Sequence, residues 1–352
     1  MSQRERKLAA LTSASRYDVS SPGECADALG SSRPAVCGPL FKVLLHGGCS
    51  YDCGYCALRL RRERYAFAPA ELAETFLRLH REGRAGGLFL SSGIPRDVDL
   101  VMHGIVETGE ILRERGFCGY LHLKILPGAA RSDIEDAARV ADRISINLEA
   151  PSHDRLSLIA GVKDYRNDIL KRQRWVSEAK PGRHTTQLVV GAADERDDEI
   201  FRCVCDQYRT VAPARIYYSA FRALPGTPLE GREDTPAWRA RRWYQADFLL
   251  RQYRFTEDEL RAAFDVEGRI LNRDVKELLA EGRSAVDINT APYHELIRVP
   301  GIGPRGAARI IRARKERPLC SAADLRKAGI RSRKAETGIV IGGTVQTELS
   351  GY

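Results

Sequence analysis

Long apolar runs are missing from this 352-residue chain. No segment approaches the ~18 consecutive apolar residues that a membrane-spanning helix needs. The N-terminus, MSQRERKLAALTSASRYD, is charged and has no apolar signal-peptide core, so the expected location is cytoplasmic. The nine cysteines do not read as a disulfide framework, because three of them are closely spaced and an odd number leaves one over. A second C-x2-C pair, which a four-ligand structural zinc site usually wants, is also absent. Excess charge is confined to one segment. Between Arg298 and Lys334 twelve Lys or Arg stand against Glu316 and Asp324, a surplus of +10, while the rest of the chain holds 44 basic and 45 acidic residues. A basic excess so localised predicts a local polyanion site.

The chain is organised around FKVLLHGGCSYDCGYC, Phe41 to Cys56, an apolar run that delivers three cysteines into a glycine-rich loop. Cys49, Cys53 and Cys56 are spaced C-x3-C-x2-C. Three thiolates can hold three irons of a 4Fe-4S cluster and leave the fourth iron open. With Tyr55 directly before the last cysteine, the stretch resembles the radical SAM motif. The resemblance implies that the open iron binds the amine and carboxylate of S-adenosylmethionine, and that reductive cleavage gives a 5′-deoxyadenosyl radical.

From Phe41 the chain alternates strand-like and helix-like segments. Strands are expected at Phe41–His46, Gly87–Ser91, Tyr120–Leu126, Arg143–Glu149, Thr185–Gly191 and Arg215–Ala220, with helices including 69–81, 97–115, 132–139 and 195–211 between them. Six such repeats predict an α/β fold, a partial (β/α)6 TIM-like barrel with parallel strands and a cleft on their C-terminal side. The expected domains are an N-terminal segment (1–40, with a helix at 5–14), the barrel (41–235), a helical connector (236–284), an α-helical nucleic-acid-binding domain (285–335) and a loose glycine-rich tail (336–352). Cys118, Cys203 and Cys205 read as ordinary thiols. Cys25, Cys37 and Cys320 have no assigned role.

Polar residues recur at the strand ends. Ser91, Ser92 and Gly93 stand where the radical SAM family usually has Gly-Gly-Glu against the methionyl amine, so the match is partial. Ser145, Asn147 and Glu149 alternate and share one face, and the resemblance suggests the ribose or methionyl group as their partner. A surface-facing strand edge is the other reading. Gln187–Asp194 resembles the family's G-x-I-x-G-x-x-E, from which only Val189 and Gly191 carry over, as adenine contacts. Lys124 could meet a carboxylate or phosphate, although lysines at strand ends are usually solvated.

The basic segment, Val286 to Pro318, resembles the helix-hairpin-helix motif, with Pro300-Gly301-Ile302-Gly303 as its hairpin. Glycines permit close backbone approach, and N–H groups opening the next helix suit a phosphate. Arg305, Arg309, Arg312 and Lys315 follow on one helical face, with Ala307, Ala308, Ile310 and Ile311 expected on the buried one. Gly301, Ile302 and Gly303 join those four basic residues as the expected nucleic-acid contacts.

Together these features resemble the putative DNA modification or repair radical SAM proteins found beside a uracil-DNA glycosylase-like partner. That resemblance implies a 4Fe-4S cluster and S-adenosylmethionine as cofactors, DNA as the substrate polymer, and an electron donor such as flavodoxin or ferredoxin. An enzyme acting on RNA or on a partner-delivered substrate, and a non-catalytic iron-sulfur DNA-binding sensor, remain alternatives.

Overall fold

The computed structural model describes residues 3–15, 40–60, 65–331, 334 and 338–345. Cys25 and Cys37 lie outside them. The chain divides into two compact units, Met1–Ala240 and Arg241–Tyr352.

The first unit opens with α1 (Gln3–Ala14). It then alternates β1 (Leu40–Leu44), α2 (Pro69–Arg81), β2 (Gly87–Ser91), α3 (Val98–Glu114), β3 (Tyr120–Lys124), α4 (Arg131–Val140) and β4 (Arg143–Ser145). Next come α5 (His153–Ser157), a π-helical turn (Tyr165–Leu170), α6 (Lys171–Ala179), β5 (His184–Val190), α7 (Asp197–Thr210), β6 (Arg215–Ala220) and the start of α8 (Ala237–Tyr253). The six strands pair in chain order, every pair parallel. Among the described residues β1 and β6 are the two edges, which makes the sheet the open partial barrel that six repeats predict.

Local chemistry sets these boundaries. Pro69 supplies the fixed φ that suits the first position of α2, and Leu72, Ala73, Phe76 and Leu79 recur at helical spacing on its buried face. Phe76 meets Phe117 edge to face at 4.9 Å. The Asp97 carboxylate accepts from the amides of Asp99 (2.8 Å) and Leu100 (3.3 Å), capping α3. Strand period then sorts the sheet's two faces. Leu88, Leu90, Leu121, Leu123, Ile144 and Ile146 pack with the helices in one apolar core. The alternate positions Phe89, His122, Ser145, Gln187 and Tyr217 line the inside of the barrel instead.

In the second unit α8 leads to α9 (Glu257–Leu260), α10 (Val275–Leu278), β7 (Val286–Asp287), α11 (Tyr293–Leu296), α12 (Pro304–Glu316), α13 (Ala322–Lys327), β8 (Ile339–Ile341) and β9 (Thr344–Val345). The expectation of a loose tail is corrected over 338–345. There β8 pairs parallel to β7 and antiparallel to β9. Gly342 and Gly343, both with positive φ (59° and 82°), form the two-residue turn between β8 and β9, a conformation the right-handed twist of a hairpin favours and side chains resist.

Candidate cluster site and nucleic-acid interface

The cysteine loop leaves β1 and is held by backbone hydrogen bonds on several sides. Gly93 N–H donates to His46 C=O (2.8 Å), Ser50 N–H to Ile94 C=O (2.7 Å) and Gly54 N–H to Ile159 C=O (2.7 Å). At Gly93 the approach is so close that an added Cβ would lie 2.3 Å from the Gly48 carbonyl oxygen. The Ser92 hydroxyl is used internally, accepting from His46 N–H (3.1 Å) and donating to Gly93 C=O (2.7 Å). The Ser-Ser-Gly turn therefore holds the cysteine loop by backbone contacts and carries no carboxylate. Leu11 of α1 packs beneath the loop, where a Cβ on Gly47 would come within 2.9 Å of it.

Cys49, Cys53 and Cys56 line one wall of a cavity of about 310 Å³. All three are free thiols. Ile94 N–H donates to Cys49 Sγ (3.4 Å), the kind of amide contact that tunes a ligating sulfur. Burial pushes the Cys53 thiol up, opposed by the nearby Lys163 charge, and pushes Cys56 up to about 12, opposed by the Leu58 amide. Iron would have to displace those protons. A cubane takes each thiolate on a separate iron, and three thiols lining one cavity fit a three-cysteine cluster.

The strand-end residues complete the cavity. Asn147, Glu149, Ser91, Ser92, Gly93, Tyr55, Val189 and Lys124 all line it, which settles the facing question for Asn147 and Glu149 in favour of the interior. Regular β4 pairing stops at Ser145, and Glu149, at φ 66°, is a backbone outlier beside β5. Such strain in a side-chain-bearing residue persists only where its surroundings hold it. Here they do: the Glu149 and Leu148 amides both donate to Gln187 C=O. Lys163 reaches Glu149 Oε1 (3.1 Å) and the Tyr55 hydroxyl (3.3 Å). Burial opposes the Lys163 charge, but the Cys53 and Glu149 charges outweigh it and hold its pKa above the ordinary value. Lys124, 7% exposed, is buried where a solvated lysine is the usual expectation, and its Nζ donates to Asn147 Oδ1 (2.5 Å).

Two expected cofactor contacts lie elsewhere. Ser145 turns to the barrel interior below the cavity, 2.8 Å from His122 Nε2. Gly191 does not line the cavity; its amide donates to Glu195, and a Cβ would sit 1.9 Å from Thr235 Oγ1. Glu195, buried and one position after the Asp194 of the partial motif, also accepts from Ala193 N–H (3.1 Å). That one-residue offset hides Glu195 from the motif's spacing. Nothing local in the sequence marks Lys163, a lysine that folds back onto a residue fourteen positions earlier. Cys203 and Cys205 are buried, and burial pushes the Cys203 thiol up to about 12, as expected of inert thiols.

In the second unit Gly303 precedes α12, Pro304 is its first residue and Gly301 has φ 78°. Ile302 is fully buried and anchors the hairpin, its amide donating to Val299 C=O (3.1 Å) and its carbonyl accepting from Lys276 (2.6 Å), so the expected ligand contact there falls to its neighbours. Arg305, Arg309, Arg312 and Lys315 are exposed, while Ala307 and Ile310 are buried. Ala308 is exposed and Ile311 half-buried, which narrows the expected apolar face. The basic surplus is also partly consumed internally. Arg314 turns inward to the carbonyls of Ile288 (2.9 Å) and Ala291 (2.7 Å), Arg298 is tied to Glu259, and Arg317 pairs with Asp324 (2.8 Å). The helix before the hairpin, α11, begins after Pro292.

Residues 43–203 match the radical SAM superfamily and residues 282–336 match the helix-hairpin-helix motif. No curated protein matches the chain. Among solved structures it is similar to HydG, a maturase of the [FeFe]-hydrogenase, at 12% identity and TM-score 0.49, covering 71% of this chain and 62% of that one. Similarity extends to SuiB of Streptococcus suis, solved bound to S-adenosylmethionine, at 14% identity, TM-score 0.46, and 60% and 48% coverage. Methylornithine synthase (PylB) gives 15% identity, TM-score 0.47, and 67% and 66% coverage. The chain thus spans less than two thirds of the length of each. It joins a radical SAM superfamily domain to a helix-hairpin-helix motif, and its cofactors are those of radical SAM enzymes, a 4Fe-4S cluster and S-adenosylmethionine.

Proposed function

We propose that this chain is a radical SAM enzyme acting on a nucleic acid, with DNA modification or repair as the reaction class. The observation that carries the reading is the joining, in one chain, of a three-cysteine cavity to a hairpin followed by exposed arginines. When bound, the cluster and S-adenosylmethionine supply a 5′-deoxyadenosyl radical. Cys49, Cys53 and Cys56 hold the cluster. Among the described residues Glu149 is the one carboxylate lining the cavity, and with Lys163 it offers the paired opposite charges that a zwitterionic methionyl group needs. Tyr55 and Val189 supply flanking surface for the adenine. Ser91, Ser92 and Gly93 act by fixing the cysteine loop.

On the hairpin, Gly301 and Gly303 admit a phosphate to the backbone, and Arg305, Arg309, Arg312 and Lys315 add charge. Such contacts position a polymer without reading its sequence. A base in a stacked duplex cannot enter a cavity of this size, so the substrate is a flipped or single-stranded nucleotide.

Anaerobically reconstituted protein given S-adenosylmethionine and a reductant should form 5′-deoxyadenosine, and Cys53→Ala should form none. Redox-dependent DNA affinity without turnover would replace the enzyme reading with the sensor. Competition between DNA and RNA for the labelled polymer decides which nucleic acid is preferred.

A further inference from the structure

We propose that Lys276 supplies a positive charge to the phosphate contact of the Pro300–Gly303 hairpin, which makes it a positioning residue for the bound polymer. The inference rests on the nucleic-acid reading given above. Lys276 lies on α10, far from the hairpin in sequence, yet its Nζ donates to the Ile302 carbonyl at 2.6 Å. It also sits 4.8 Å from the centroid of the Tyr253 ring, and the Tyr253 hydroxyl lies 3.5 Å from where a Cβ on Gly303 would be. Aromatic face, ammonium and hairpin carbonyl therefore meet at the start of α12, where backbone N–H groups point outward.

A neutral donor would serve as well to hold one carbonyl, and a half-buried ammonium is an expensive choice for that task. The cost shows in its titration. Burial pulls the Lys276 pKa down to about 8, and Asp274 only partly opposes this. A charge so close to its titration point is stabilised when an anion docks beside it, and by linkage its protonation in turn favours the anion. Asp274 and the Tyr253 ring face it, Tyr293 lies within electrostatic reach of Tyr253, and Glu277, the next residue of α10, is paired with Lys334. Tyr253 is pushed up by burial and Lys334 is held up by Glu277, so neither loses a proton in the range where Lys276 does.

The test is fluorescence anisotropy of a labelled single-stranded DNA oligonucleotide with the full chain. Wild-type affinity should fall roughly five-fold as pH rises through about 8. Lys276→Met should bind about that much more weakly at neutral pH and show no further fall. Lys276→Arg should keep the neutral-pH affinity and hold it at alkaline pH, because a guanidinium stays charged; it keeps the test decisive if the Met variant fails to fold. Loss of the pH step in both variants supports the proposal. If either folded variant retains the wild-type step, the proposal is overturned. Arg305→Glu separates the two levels. If it binds as tightly as wild type, the hairpin reading falls and this inference with it. If it is weakened while both Lys276 variants track the wild type, only the role of Lys276 falls.

Discussion

Glu149 and Lys163 form a buried ion pair, with side-chain exposures of 9% and 6%. Removing one partner of such a pair strands the other charge in a poor solvent. Lys163→Met should therefore lower the unfolding free energy by about 3 kcal/mol in urea denaturation, with Glu149→Gln milder because it leaves a hydrogen-bonding amide. Gly93 is constrained by geometry alone. Gly93→Ala places a methyl against the Gly48 carbonyl, so the clamp on the cysteine loop must open, and iron incorporated on reconstitution should drop well below wild type. At Glu259, desolvation opposes the charge, but hydrogen bonds from Arg298, the Thr256 amide and Arg283 hold the carboxyl down at about 2 from an ordinary 4.5. A depressed acid stabilises the fold above its unfolded value and loses that contribution as pH falls through its folded one. Wild-type melting temperature should thus decline between about pH 4.5 and about pH 2, and Glu259→Gln should flatten that part of the curve while melting lower at neutral pH.

At the scale of the element, α2 and β2 have the boundaries that the apolar spacing and Pro69 imply, 69–81 and 87–91, because both are specified by local patterns. Phe76→Ala removes a fully buried ring from the α2 face and should cost about 3–5 kcal/mol, measured by chemical denaturation. Alternation implies one long strand over Arg143–Glu149, but regular pairing ends at Ser145, and the chain rejoins β5 where the Leu148 and Glu149 amides share Gln187 C=O. Side-chain alternation continues past that point even though the ladder does not, which is why Asn147 and Glu149 still reach the cavity. The β8–β9 turn is legible as Gly342-Gly343 between β-branched residues. Composition had suggested looseness, and the strand partner β7 is remote in sequence.

For the whole molecule, a surplus of +10 in one segment is a count of charges, whereas binding depends on which of them are free. Arg298, Arg314, Arg317 and Lys334 are committed to partners within the unit. Arg305, Arg309, Arg312 and Lys315 remain exposed, with Arg309 making one long contact to Gly329 C=O (3.4 Å). Four phosphate contacts predict a slope of log affinity against log salt near −3 to −4 on duplex DNA. A salt-insensitive complex would count against the interface. The cysteine cavity and the hairpin belong to different compact units, so Arg305→Glu should weaken DNA binding and leave 5′-deoxyadenosine formation without DNA unchanged.

The sequence by itself determined the strand and helix succession, the three-cysteine spacing and the presence of a hairpin before a basic helix. Each is written in periods, breakers or ligand spacing within a few residues, and local sterics act at that range. Tertiary structure alone decided which strand face points into the barrel, that Lys163 neutralises Glu149, that Glu195 holds Gly191, and that Lys276 stands under the hairpin. Those pairings join residues that only the packed fold brings together. Burial then sets their energies, because a charge removed from water must find its partner wherever the fold has placed one.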